Sequence, residues 1–132
     1  MRTNFDNLEL KTDQSYWYGD RPFTGTAVFE RDDGTLESEV EYREGVQEGA
    51  FRDWDENGFL ITEGVIRNGV NHGDQKTWYS NGSLKSIESY QFGIKTSHRE
   101  WSEGGELVRD DKLEETELLR SFRAADASKS SG

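Results

Sequence analysis

The chain has 132 residues, of which 31% are hydrophobic and 12% aromatic, with a net charge of −11 and a pI near 4.6. That length fits one domain with a modest core, in which each buried ring removes roughly 150–250 Å² from water and rings must supply much of the burial. The charge disfavours nucleic-acid phosphates and anionic lipid heads and favours a basic protein as partner, while zero cysteines exclude disulfides, thiol catalysis and Cys-ligated zinc. No window approaches the ~20 apolar residues of a membrane span, and Met1 to Leu10 lacks the basic start and apolar run of a signal peptide. A cytoplasmic location is therefore the expectation.

Taken in order, Phe5, Leu8 and Leu10 sit among polar residues, and Tyr16-Trp17-Tyr18 follow a turn-like Lys11-Thr12-Asp13-Gln14. One or two short strands are expected ahead of the main body. The only proline, in Arg21-Pro22-Phe23, favours a turn or a sheet edge because it cannot donate to a central ladder. Beyond it the sequence repeats. A shift of 24 residues carries Gly25 onto Gly49 and Gly73, Gly34 onto Gly58 and Gly82, Gly45 onto Gly69 and Gly93, and Leu36 onto Leu60 and Leu84. Such a period marks an array whose units cannot bury their apolar faces alone.

Each unit reads as a hairpin. Asp33-Gly34, Asn57-Gly58 and Asn81-Gly82 separate runs of strand formers, glycine accepting the positive φ that tight turns need. The second strand of the first unit alternates with a period of two, Leu36, Ser38, Val40 and Tyr42 against Glu37, Glu39 and Glu41, which predicts one buried and one wet face. Leu60, Thr62, Gly64 and Ile66 continue the inner face, as do Leu84, Ser86 and Tyr90, with Glu88 out of character. Trp54 and Trp78 share a repeat position and predict an aromatic ladder, read first as core and second as a groove for a partner. The fourth unit is degenerate, with Ser97 for the expected glycine, as terminal repeats commonly are. From Asp110 the pattern predicts a short capping α-helix: Asp110-Asp111 at its start, Glu114, Glu115 and Glu117 in its first half, Leu113, Leu118, Leu119 and Phe122 as its stripe, Arg120 and Arg123 at its end. It would cover the last sheet edge.

The predicted fold class is therefore mainly β, an antiparallel hairpin array of about eight strands with a C-terminal capping helix. Residues 1–124 form one domain, made of an N-terminal strand region 1–24, repeats 25–109 and a helix 110–124, with a disordered tail over 125–132.

Catalytic constellations are not evident. His72 and His98 occupy nearly equivalent repeat positions, but a metal would need a third ligand from a dispersed carboxylate, so turn and solvated-strand positions are expected for them. Glu39 and Glu63 share a column beside Asp53 and Asp55, yet a glycosidase needs two carboxylates in a cleft, and an open meander offers none. The glycines are spaced for hairpins rather than phosphate loops, and no Gly-x-Ser-x-Gly elbow occurs. No enzyme activity and no metal or other cofactor are expected.

The pattern Tyr42-x-x-Gly45-x-x-x-Gly49, then Trp54-x-x-Asn57-Gly58-x-Leu60, recurring as Gly69-x-x-x-Gly73, Trp78-Tyr79-x-Asn81-Gly82-x-Leu84 and Tyr90-x-x-Gly93, resembles the bacterial MORN-repeat variant family from about Tyr18 to Val108. That family contains antitoxin-like chains and has relatives among immunity proteins of polymorphic toxin systems. The resemblance implies a non-catalytic protein-binding module, with an antitoxin or immunity protein as the first expectation and a structural scaffold as the alternative. Occlusion of a basic toxin domain would then use Glu37, Glu39, Glu41, Asp53, Asp55 and Glu63, with Trp54 and Trp78 as anchors, and neither nucleic acid nor membrane as partner.

Overall fold

The computed structural model describes residues 1–113 and Arg120. Along them run β1 (Arg2–Asn4), a 3-10 turn (Phe5–Asn7), β2 (Glu9–Leu10), β3 (Tyr16–Tyr18), β4 (Arg21–Pro22), β5 (Gly25–Glu30), β6 (Leu36–Arg43), β7 (Val46–Trp54), β8 (Leu60–Arg67), β9 (Val70–Trp78), β10 (Leu84–Gln91), β11 (Ile94–Trp101) and β12 (Leu107–Lys112). Strands β5 to β12 form an antiparallel meander in sequence order, and β1 adds to β5 in parallel to make a nine-stranded sheet. Strands β2, β3 and β4 form a separate small sheet with Pro22 on its edge strand.

Two kinds of turn alternate along the array. At one end the loops after β5, β7, β9 and β11 close with Gly34, Gly58, Gly82 and Gly105 at φ 85–90°, and an Asp33, Asp55 or Asn81 side chain accepts a backbone N–H two residues on. At the other end Glu44-Gly45, Asn68-Gly69 and Phe92-Gly93 have positive φ at both residues, the signature of two-residue turns matched to strand twist. The Gly25, Gly49 and Gly73 column has a different origin. Register shifts between Val40 and Tyr42 and between Glu63 and Val65 set Gly49 and Gly73 in β-bulges. At Gly49 the Glu41 carboxylate folds over the bulge and accepts the Ala50 N–H at 3.0 Å.

The expected capping helix over 110–124 does not begin at Asp110: among the described residues that stretch is strand. No α-helical element is formed over the described residues 1–113, and Asp110 and Asp111, expected to cap a helix, lie within β12; of the rest of the expected helix only Arg120 is described. Pairing with β11 prevails over capping as alternation sets Asp110 against Arg99 on one face and Asp111 opposite His98 on the other. Glu114, Glu115, Glu117, Leu118, Leu119, Phe122, Arg123 and the tail 125–132 lie outside the described residues.

The core sits at the N-terminal end. Phe23 (1% exposed), Ala27 (0%) and Tyr42 (3%) form its centre, with Phe5, Leu8, Tyr16 and Val40 packed around them. Rings meet at centroid distances of 4.5 Å for Phe5–Phe29, 5.2 Å for Phe5–Tyr16, 5.6 Å for Tyr16–Tyr42 and 5.7 Å for Phe23–Tyr42. The N-terminal segment thus lids one face of β5 and β6, anchored where Tyr16 donates its N–H to the Gly45 carbonyl at 2.9 Å. The expected Trp54–Trp78 ladder is absent from the ring contacts among the described residues. Both indoles are half-buried, and they stand on alternate strands, ~9–10 Å apart by strand spacing, with Leu60 and Leu84 as their cross-strand neighbours.

Candidate functional site

Because the register repeats from unit to unit, inward residues fall into rows that run across the sheet. One row reads Ala27, Val40, Phe51, Gly64, then Gln75, Glu88, His98, Asp111. A second reads Phe29, Ser38, Asp53, Thr62, Thr77, Ser86, Glu100, Arg109. Both begin apolar and end ionisable. Gly64 marks the change: a Cβ there would lie 2.6 Å from the Phe51 ring and 3.3 Å from Gln75, so its bareness leaves room for that ring against the strand. Beyond it the inner face is hydroxyls, then charge, with Thr77 and Ser86 sharing a 2.5 Å hydrogen bond.

The polar end converges on His98, 8% exposed. Its Nε2 lies 3.3 Å from a Glu100 oxygen. Its Nδ1 is buried, has no hydrogen-bond partner and faces Glu88 at 3.6 Å, beyond hydrogen-bond reach. Glu88 is the hub. Tyr90 donates its hydroxyl to it at 2.7 Å, and Lys95 pairs with it at 3.2 Å. Burial alone would raise the Glu88 carboxyl, but the Tyr90 and Lys95 hydrogen bonds, with the Lys95 and His98 charges, hold it below the usual carboxylate range. Tyr90 moves the opposite way, pushed up to about 12 by burial and by its bond to the Glu88 carboxylate. Arg109 and Asp111 pair beside them, and Lys95, Thr96, His98, Arg109, Asp111 and Leu113 border an open hollow of about 260 Å³. Among the described residues no group of three metal-ligating side chains is arranged to hold an ion.

The opposite face carries a ladder of alternating charge. Glu39, Arg52, Glu63 and Lys76 stand in register on β6 to β9, followed by Ile87, Arg99 and Asp110. Arg52 bridges Glu39 at 3.2 Å and Glu63 at 3.3 Å, Arg2 reaches Glu39 at 2.8 Å, and Arg99 meets Asp110 at 3.6 Å. Those bonds raise the Arg52 guanidinium above its ordinary value, Glu39 contributing most.

The residues expected to meet a partner are dispersed by this geometry. Glu39 and Glu63 belong to the charge ladder. Asp53 lies on the other face and accepts the Ser38 hydroxyl at 2.7 Å, and Asp55 holds its own turn by accepting from Asn57 and Phe59. Glu41 closes the Gly49 bulge, and Glu37 is exposed on β6. The Trp54 carbonyl receives Arg31 at 2.6 Å, a staple between successive turns that Tyr79 repeats on the Trp101 carbonyl at 2.8 Å. Trp78 is half-buried one unit on.

Contrary to the expectation of a solvated strand position, His98 is among the most buried polar residues, whereas His72, its near-equivalent, is exposed on β9 near the turn at Asn68-Gly69. The cluster of Glu88, Tyr90, Lys95, His98, Glu100, Arg109 and Asp111 escapes sequence reasoning as a group. Its one visible sign is Glu88, standing where Val40 and Gly64 stand in earlier units.

No curated protein and no solved structure matches the chain. Residues 71–91 match the MORN repeat variant family model, which spans β9 from Asn71, the Asn81-Gly82 turn and all of β10. The match supports reading the array as MORN-type repeats.

Proposed function

We propose that the chain is a non-catalytic, protein-binding scaffold of the MORN-repeat type, and that its contacts are made along the polar half of the array, β9 to β12. The observation that carries this reading is the change in the inward rows, from a ring-filled core at Ala27 and Tyr42 to the ionisable cluster around His98. Burial of charge is costly and adds little to stability over an apolar alternative, so a cluster of this kind fits specific recognition better than support of the fold. The match to a repeat family agrees with a scaffold.

The narrower antitoxin reading rests on resemblance and on net charge. Its acidic set is divided between two faces and a turn, with Glu39 and Glu63 already paired to Arg52, so the scaffold reading is the better supported. Affinity capture with Lys95→Glu and Glu100→Lys on the polar cluster, against Glu63→Lys on the charge ladder, tests the assignment. The reading predicts that specifically captured proteins are lost with the first two and kept with the third. Capture that depends on Glu63 and ignores Lys95 and Glu100 would move the interface to the other face.

A further inference from the structure

We propose that β12 is a self-pairing edge through which two copies of this chain join antiparallel, centred on Asp110, into one continuous sheet. This names one partner for the scaffold proposed above, and rests on that reading only in treating the sheet as a binding platform.

The two ends of the nine-stranded sheet are unlike. One ends in β1, only three residues long and parallel to its neighbour. The other ends in β12, six residues long and exposed at every one, with Leu107 53% and Val108 60% exposed. Beyond the bulge at Val108 that edge presents outward backbone donors and acceptors at Asp110 and Lys112, and its alternating charges admit only a strand of complementary charge.

Backbone orientation then selects the register. The Leu113 N–H donates to the Thr96 carbonyl at 2.8 Å. By alternation Leu113, Asp111 and Arg109 turn their backbone groups towards β11, while Lys112 and Asp110 turn theirs to the open edge. An antiparallel pair centred on Asp110 therefore forms a hydrogen-bonded pair at its centre, and regular pairing runs over 109–111, since the register shift between Glu100 and Trp101 leaves Val108 as the extra residue of a bulge. The flanking pairs set Arg109 opposite Asp111 of the second copy, twice, at the close ~4.5 Å spacing of non-hydrogen-bonded pairs. The two Asp110 side chains meet at the axis, each with its own Arg99 at 3.6 Å. Centring on Arg109 or Asp111 would set like charges at the axis without the reciprocal Arg109–Asp111 pairs.

Sedimentation equilibrium of the full chain tests the proposal. A monomer–dimer equilibrium is expected in the micromolar range. Arg109→Asp and Asp111→Arg should each weaken it by about tenfold or more, since each turns two attractive pairs into two repulsive ones. Mixing the two variants should restore association as a one-to-one heterodimer, because the carboxylate introduced in one chain then faces the guanidinium introduced in the other. Loss of a contact within each chain would not be repaired by mixing. Asp110→Pro, which removes an outward N–H at an edge position, should abolish the dimer with the strand spectrum retained. A wild-type chain that stays monomeric, a dimer that survives all three changes, or variants that do not associate on mixing would each overturn the edge proposal. A monomer that still captures proteins through Lys95 and Glu100 would overturn it alone, and a dimer that captures none would overturn the wider reading alone.

Discussion

The first and last units of the array share a backbone and differ in what it carries. Around β5 and β6, inward positions hold Ala27, Phe29, Val40 and Tyr42 beneath a lid of Phe5, Tyr16 and Phe23. Around β10 and β11 the same inward rows hold Ser86, Glu88, His98 and Glu100, with Tyr90 kept in the Tyr42 column and bonded to Glu88. A repeat can keep its turns and register while exchanging its interior, because turn chemistry and bulges are set locally and the core is set row by row. Stability thus concentrates at one end and chemistry at the other.

The sharpest way to break that contrast is Phe23→Ala. The fully buried ring should cost about 3–5 kcal/mol in urea-induced unfolding, whereas Ser86→Ala, also buried but in the polar half, should cost about 1 kcal/mol. Equal losses would mean that the two halves share one core. At the boundary, Gly64→Ala should cost about 1–3 kcal/mol by driving a methyl into the Phe51 ring.

Alkaline titration probes the polar half. The neutral Tyr90 hydroxyl is favoured in the fold, its pKa pushed up to about 12. Its contribution is intact below the ordinary tyrosine pKa of about 10 and is lost as pH rises towards the folded value. The stability difference between the wild type and Tyr90→Phe should therefore shift against the wild type across that window, and a gap independent of pH would contradict the assigned hydrogen bond. Smaller effects come from the surface. Phe92 holds φ 52° in a two-residue turn whose equivalent elsewhere is Asn68-Gly69, so Phe92→Asn should raise stability by about 1 kcal/mol. Arg52→Gln, breaking two partly exposed ion pairs, should cost no more than about 1 kcal/mol and less in high salt.

The period of 24 makes the hairpins legible, since each Gly34-type turn and each Tyr42-type column has a local cause. What stays hidden is non-local. The Arg31 staple to the Trp54 carbonyl, the N-terminal lid and the parallel pairing of β1 join residues about one unit apart, beyond any turn or alternation signal. The acidic start that suggests a helix from Asp110 onward is a polar pattern, and alternating Arg109, Asp110 and Asp111 equally suit a strand whose partners stand on both faces of β11. The acidic contact set does not converge for a related reason. Composition counts 27 acidic residues without showing that Arg52 already stands between Glu39 and Glu63. Glu88 is an exception in its column, and that exception marks the cluster.

The most direct test of this division is hydrogen exchange along the full chain, alone and with a captured partner. Below the concentration at which it dimerises, free protein should exchange slowest in β5 and β6 and fastest in β11 and β12, and a partner should add protection over β9 to β12. Uniform protection along the array, or partner protection confined to β5 and β6, would contradict the separation of core from contact surface.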